Sequence, residues 1–176
     1  METSTTTPLW LVVMGVSGCG KSSLGQVLAA ELGLPLVEGD DFHPEANIRK
    51  MSSGIALDDA DRAGWLARLG EELAVRPGGA VLTCSALKRA YRDRLRAAVP
   101  VLRFVYMRIG RDEALARVRA RTHFFSASLV DSQFQTLEPP EGEPDMLAVR
   151  ATDAMSGLCA QVRHWLVVQG LLNSRR

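Results

Sequence analysis

An apolar run, Leu9 to Met14, leads without a break into Gly15-Val16-Ser17-Gly18-Cys19-Gly20-Lys21-Ser22. This is a complete G-x-x-x-x-G-K-[ST] pattern placed where a strand turns into a helix, and it leaves the chain few folds to choose from. The glycines let backbone N–H groups close around phosphate oxygens. Lys21 has the reach to touch β- and γ-phosphates, and the Ser22 hydroxyl suits Mg²⁺. The helix through Leu24, Val27, Leu28 and Leu32 points its positive end at the same anion. Gly15, Val16, Ser17, Gly18, Cys19, Gly20, Lys21, Ser22 and Ser23 are therefore predicted to bind a nucleoside triphosphate, with Lys21 catalytic and Ser22 on the metal.

At 176 residues the chain is long enough to bury one real core. Its 21 basic and 20 acidic residues nearly cancel, which argues against a general nucleic-acid or membrane-surface partner. Residues 1–8 are Thr-rich and polar and are expected to form a disordered tail, with a single domain over 9–176. The tail lacks the basic start and apolar stretch of a secretory signal. Cys19, Cys84 and Cys159 are widely spaced and unpaired in pattern, which fits a reducing cytoplasm better than a disulfide framework or zinc site.

Short apolar segments alternate with helix-patterned stretches. The strands are predicted at Leu9–Met14, Pro35–Glu38, Ala80–Cys84, Val101–Met107 and Met146–Val149. The helices are predicted at Lys21–Leu32, Ala46–Met51, Asp58–Val75, Leu87–Ala98, Arg111–Arg121 and Asp153–Gln169. Strands separated by helices imply right-handed crossovers and a mostly parallel five-stranded sheet in an α/β, three-layer arrangement. Such sheets bind ligands beyond the carboxyl ends of their strands. Thr122 to Asp145, rich in proline and acidic residues, breaks the alternation. It reads as a mobile covering segment followed by a return loop, with a lid over about residues 117–140.

The residues after the strands carry the chemistry. After the second comes Glu38-Gly39-Asp40-Asp41-Phe42-His43-Pro44. Transfer to an alcohol needs a carboxylate at the hydroxyl, and Asp40 is the choice for that base; an aspartate here could instead hold Mg²⁺ through water. His43 is a candidate hydrogen-bond partner of a polyhydroxy acceptor. After the third strand, Lys88, Arg89 and Arg92 line one stretch, suited to an acceptor's carboxylate or phosphate. Arg117, Arg119 and Arg121 lead into the covering segment, where an arginine can close over the γ-phosphate. Phe124 and Phe125 offer that segment apolar anchors. Asp61-Arg62-Ala63-Gly64 fits the D-x-x-G of GTPases but follows a polar stretch, and no N-K-x-D motif reads guanine.

Three blocks go further. They are G-D-D-F-H-P-E-A-N-I-R-K-M from Gly39, C-S-A-L-K-R-A-Y-R-D-R-L-R from Cys84, and H-F-F from His123 with S-Q-F-Q-T-L-E from Ser132. With the phosphate loop, they make the chain resemble the gluconate kinases, small relatives of shikimate kinase, from about Trp10 to Trp165. The resemblance implies a P-loop kinase fold and phosphorylation of D-gluconate by ATP and Mg²⁺ in a cytoplasmic homodimer. It also implies that Asp40 acts on the acceptor hydroxyl, that Lys88 and Arg92 lie near the acceptor with His43 and His123, and that Arg117 or Arg121 lies near the lid. Ala56, Gly64 and Thr122 depart from the usual pattern, the first two at a helix start and the third at the lid. Two other readings remain open: a kinase for another small acid or polyol, shikimate included, and a nucleotide-binding module without catalysis.

Overall fold

The computed structural model describes residues 7–121 and 127–174. Five strands, β1 (Leu9–Met14), β2 (Leu36–Glu38), β3 (Gly79–Thr83), β4 (Arg103–Arg108) and β5 (Met146–Arg150), form one sheet in the order β2-β3-β1-β4-β5. Every neighbouring pair is parallel, with Val12 opposite Leu82 on one side and Phe104 on the other. All five residues of β3 and the four central residues of β4 are buried, because helices cover both faces of the sheet. Leu11, Val12, Val13 and Met14 of the central strand are fully buried.

The helices are α1 (Lys21–Leu32), α2 (Glu45–Ser52), α3 (Asp59–Ala74), α4 (Arg89–Ala98), α5 (Arg111–Ala120), α6 (Ala127–Thr136) and α7 (Met155–Val168). Helix α3 begins with a reciprocal cap: Asp61 N–H donates to Asp58 at 2.8 Å, and Asp58 N–H donates to Asp61 at 2.9 Å. This start places the D-x-x-G stretch inside a helix.

One helix departs from the expected irregular stretch. Helix α6 occupies residues 127–136, a sequence of Ser, Val, Phe and Thr with weak intrinsic helix preference. Tertiary packing supplies what propensity lacks: Leu129 and Val130 are buried, and Asp131 accepts two hydrogen bonds from Arg111 at 2.6 and 3.1 Å. The return loop after it is held rather than loose, since Glu138 N–H donates to the Leu87 carbonyl and its carboxylate accepts from Arg89 N–H. His123, Phe124 and Phe125, and most of the N-terminal tail, lie outside the described residues.

Candidate active site

At the carboxyl end of β1 the loop 15–20 wraps into α1. Gly20, the residue before the helix, has φ +94°, a left-handed conformation that a side chain would strain. Lys21 folds back so that Nζ donates to the Val16 carbonyl at 3.1 Å. Arg117 braces the loop from outside, with Nη1 near the Gly18 and Cys19 carbonyls (3.5 and 3.4 Å) and Nη2 donating to Ala151 at 3.2 Å.

Beside the loop, β2 ends in Glu38. Ser22 Oγ donates to one of its carboxylate oxygens at 2.9 Å, and Thr83 Oγ1 donates to the other at 2.9 Å. The chain then turns at Gly39 into a short 3₁₀ segment that carries Asp40. Gly39 is required by crowding, because a Cβ there would lie 2.2 Å from the Thr83 carbonyl oxygen. Close approach to β3 is thus what swings Asp40 over the sheet edge.

Three clefts meet around these residues. One, of about 650 Å³, is lined by the loop residues Ser17, Gly18 and Gly20 to Ser23, together with Asp40, Val118 and Arg121. A second, of about 530 Å³, takes Ser17, Lys21 and Asp40 as one wall and His43, Arg62, Trp65, Ser85 and Gln133 as others. A third, of about 600 Å³, lies against Gly20, Ser23, Arg117, Arg121, Asp153 and Met155. Ser17, Lys21 and Asp40 belong to both of the first two, so they stand where two ligands would touch.

The second cleft joins the expected Ser17, Lys21, Asp40 and His43 to residues not assigned to the site from the sequence, Arg62, Trp65 and Gln133 among them. Arg62 of α3 is only 7% exposed, donates to Tyr91 at 3.3 Å and has no carboxylate within ion-pair distance among the described residues. A cation so placed on the cleft wall is able to pair with a negative charge. Its signal in the sequence was a lone charge on the apolar face of α3, one turn before Trp65. Gln133 of α6 accepts a hydrogen bond from Ser17 N–H at 2.7 Å and so ties the covering helix to the phosphate loop. The His43 ring lies flat on Trp65, centroids 4.1 Å apart, and burial lowers its pKa below the usual histidine value although Asp40 opposes the shift. His43 is therefore neutral at pH 7.

The cations of the third-strand block are placed differently from expectation. Arg92, expected near the acceptor, is fully buried: Nε pairs with Glu143 at 3.1 and 3.0 Å, Nη1 donates to Ala86 and Leu87, and Nη2 to Glu138. Its guanidinium holds the return loop and the Ala86 turn (φ +45°) in place, which presents Ser85 to the cleft. Burial alone explains the miss, since α4's basic pattern does not reveal which arginine turns inward. Lys88 lies outside both central clefts, 3.0 Å from Asp59 and 5.7 Å from the Tyr91 ring centre. His43 and Arg121 do line clefts, and His123 lies outside the described residues.

A phosphate loop that shares Lys21 and Asp40 with a second cleft lined by Arg62, on a 2-3-1-4-5 parallel sheet, defines a P-loop phosphotransferase acting on a small molecule. The AAA domain family matches residues 10–140. A gluconokinase of Gluconobacter oxydans (strain 621H) is 48% identical over 146 residues, 81% of this chain and 82% of that protein. The thermosensitive gluconokinase of Escherichia coli (strain K12) is 38% identical, covering 86% and 84%. The crystal structure of a gluconokinase from Sinorhizobium meliloti 1021 superposes with a TM-score of 0.85 at 45% identity, over 92% and 93% of the two chains. The chain belongs to the gluconokinase family. A shikimate kinase from Acinetobacter baumannii, at 15% identity and a TM-score of 0.65, shares the fold.

Proposed function

We propose that this protein transfers the γ-phosphoryl group of ATP to a hydroxyl of D-gluconate, giving ADP and 6-phospho-D-gluconate. The observation that carries the reading is the shared wall: Lys21 and Asp40 line both the phosphate-loop cleft and the acceptor cleft. ATP lies with its phosphates on the loop amides and Lys21, and its base toward the third cleft. Gluconate lies in the second cleft with its carboxylate on Arg62, and Asp40 orients the reacting hydroxyl and takes its proton. Arg121, at the edge of the phosphate cleft, and His123 are assigned to the lid. Catalysis is then positioning and charge stabilisation, with little covalent work for the protein.

The donor set fits Mg²⁺. Ser22 and Glu38 offer hard oxygens 2.9 Å apart at the mouth of the loop. Mg²⁺ is typically held this way, by one or two protein oxygens plus phosphates and water. When bound, the ion neutralises charge on the transferring phosphates. Ser22 and Glu38 would hold it.

A cytoplasmic setting agrees with three free, buried cysteines, and no helix among the described residues is long and apolar enough to cross a membrane. The homodimer rests on the family resemblance, and light scattering at micromolar concentration tests it.

The first experiment is ADP release from ATP·Mg²⁺ with D-gluconate beside shikimate, glucose, glycerate and a blank. Turnover with gluconate well above the other acceptors is the expected result; a preference for another acid would remove the substrate assignment. Two variants probe the walls of the site. Lys21→Ala should lower kcat by roughly 100-fold, the scale of losing one preorganised charge at the transferring group. Arg62→Met should raise the KM for gluconate by roughly 10- to 100-fold, from about 1.5–3 kcal/mol for a hydrogen bond to a charged group. An unchanged gluconate KM in that variant would place the carboxylate elsewhere.

A further inference from the structure

Asn47 is 3% exposed on α2 and has no place in the phosphate-transfer chemistry described above. One of its amide atoms, Nδ2, lies 3.0 Å from the carbonyl oxygen of Asp61, a group that can only accept a hydrogen bond. That contact identifies the atom as nitrogen. The same nitrogen lies 3.3 Å from Nδ1 of His43, so Nδ1 must be the unprotonated, accepting atom of the neutral ring. The ring proton is left on Nε2, the atom facing Asp40, 3.8 Å from Oδ1.

The ring has little freedom to do otherwise. Its side chain is 5% exposed and stacked on Trp65 with the planes 15° apart. Trp65 is itself fixed, since its indole N–H donates to the Gly39 carbonyl at 2.8 Å. His43 and Asp40 also line the same cleft. The 3.8 Å gap is too long for a direct hydrogen bond but leaves both groups able to reach one oxygen between them.

We propose that Asn47 is a positioning residue: by donating to Nδ1 it locks His43 in the tautomer with its proton on Nε2, and that N–H holds the acceptor hydroxyl with its own proton directed at Asp40. The proposal rests on the kinase reading above and adds to it the device that orients the hydroxyl. A hydroxyl has one proton to give. With Nε2 protonated, the hydroxyl oxygen accepts from His43 and donates to Asp40. With the other tautomer, a bare Nε2 would compete for that proton and turn the oxygen's lone pair away from the phosphorus. In the transfer step the hydroxyl proton passes to Asp40, and the oxygen bonds to the γ-phosphorus. The bridging P–O bond breaks with its electron pair leaving on ADP. His43 keeps its proton throughout.

The test begins with ¹⁵N NMR of His43 in the wild-type protein, free of substrate, at pH above the histidine titration. An Nε2–H signature is expected; an Nδ1–H signature overturns the proposal whatever the substrate proves to be. Asn47→Leu removes the donor at similar volume. It should give a mixture of tautomers and a kcat for gluconate lower by roughly 10-fold, the scale of one misplaced hydrogen bond, with the ATP KM within about 2-fold. A pure Nε2–H tautomer with wild-type kcat in Asn47→Leu overturns it too. Should that variant not fold, the wild-type tautomer still decides, and His43→Gln supplies the second arm. Its amide N–H can stand in for Nε2–H, so it should turn over about 10-fold faster than His43→Phe. Equal rates for those two variants overturn the role of the N–H. No gluconate turnover in the wild type, with the Nε2–H tautomer present, would overturn the substrate assignment and the hydroxyl contact with it.

Discussion

Asp40→Asn is expected to lower kcat for gluconate phosphorylation by roughly 100- to 10,000-fold, the range for removing a positioned general base. The side chain keeps its shape, so neither the 3₁₀ turn nor the clefts should change. Asn can still accept a hydrogen bond from the acceptor hydroxyl but cannot take its proton. The ATP KM should therefore stay within about 3-fold of wild type, since Asp40 forms only one wall of the phosphate cleft. Steady-state kinetics with each substrate varied in turn separate the two constants. A near-wild-type kcat would remove Asp40 from proton transfer. A large rise in ATP KM would instead move it to the metal, where Ser22 and Glu38 already stand.

Arg92→Met should act on the fold and not on the acceptor contacts. It removes one partner of a buried pair and strands the Glu143 carboxylate, which is 4% exposed and retains only Arg96 at 2.9 Å. Breaking such a pair costs about 3–5 kcal/mol, which for a domain of this size lowers Tm on the order of 10 °C. Thermal unfolding by circular dichroism reads the loss directly. At a temperature where the variant is still folded, the gluconate KM should move far less than in Arg62→Met. A selective rise in KM with unchanged Tm would return Arg92 to the substrate. The same pair makes a prediction about pH. Burial pushes the Glu143 carboxyl up, but hydrogen bonds and charge from Arg92 and Arg96 outweigh it and hold its pKa below the usual carboxylate value. Its stabilising contribution is complete above the unfolded carboxylate pKa and is lost as pH falls through the lower folded value. Arg92→Met should flatten that acid limb.

How much of this was legible without coordinates differs from element to element. The loop from Gly15 to Ser22 announces its own geometry, because glycines at fixed offsets and a following amphipathic helix admit one local structure. The five strands were readable for a related reason: a parallel sheet covered on both faces demands short, fully apolar runs. Helix α6 was not readable, since its stability comes from the tertiary packing of Leu129 and Val130 and from the Arg111–Asp131 pair, not from intrinsic helix preference. Asp40 was found at the site because a turn straight after a strand end has only one place to go. Arg62 was passed over because an arginine on an apolar helix face gives no sign from the sequence of what lies opposite.

The chain by itself determined the phosphate loop, the order of the five strands and of six of the seven described α-helices, and through its three long blocks the family. Those are properties of neighbouring residues, whose covalent spacing limits where each can go. Only the tertiary structure decided which cation lines the cleft beside Asp40. Arg62 and Arg92 are chemically alike, yet one lines the cleft with no carboxylate partner among the described residues while the other is consumed by Glu143 and three backbone carbonyls. The deciding contacts, Arg62 to Tyr91 and Arg92 to Glu143, join residues 29 and 51 positions apart, and contacts over such separations exist only once the sheet has brought its carboxyl ends together.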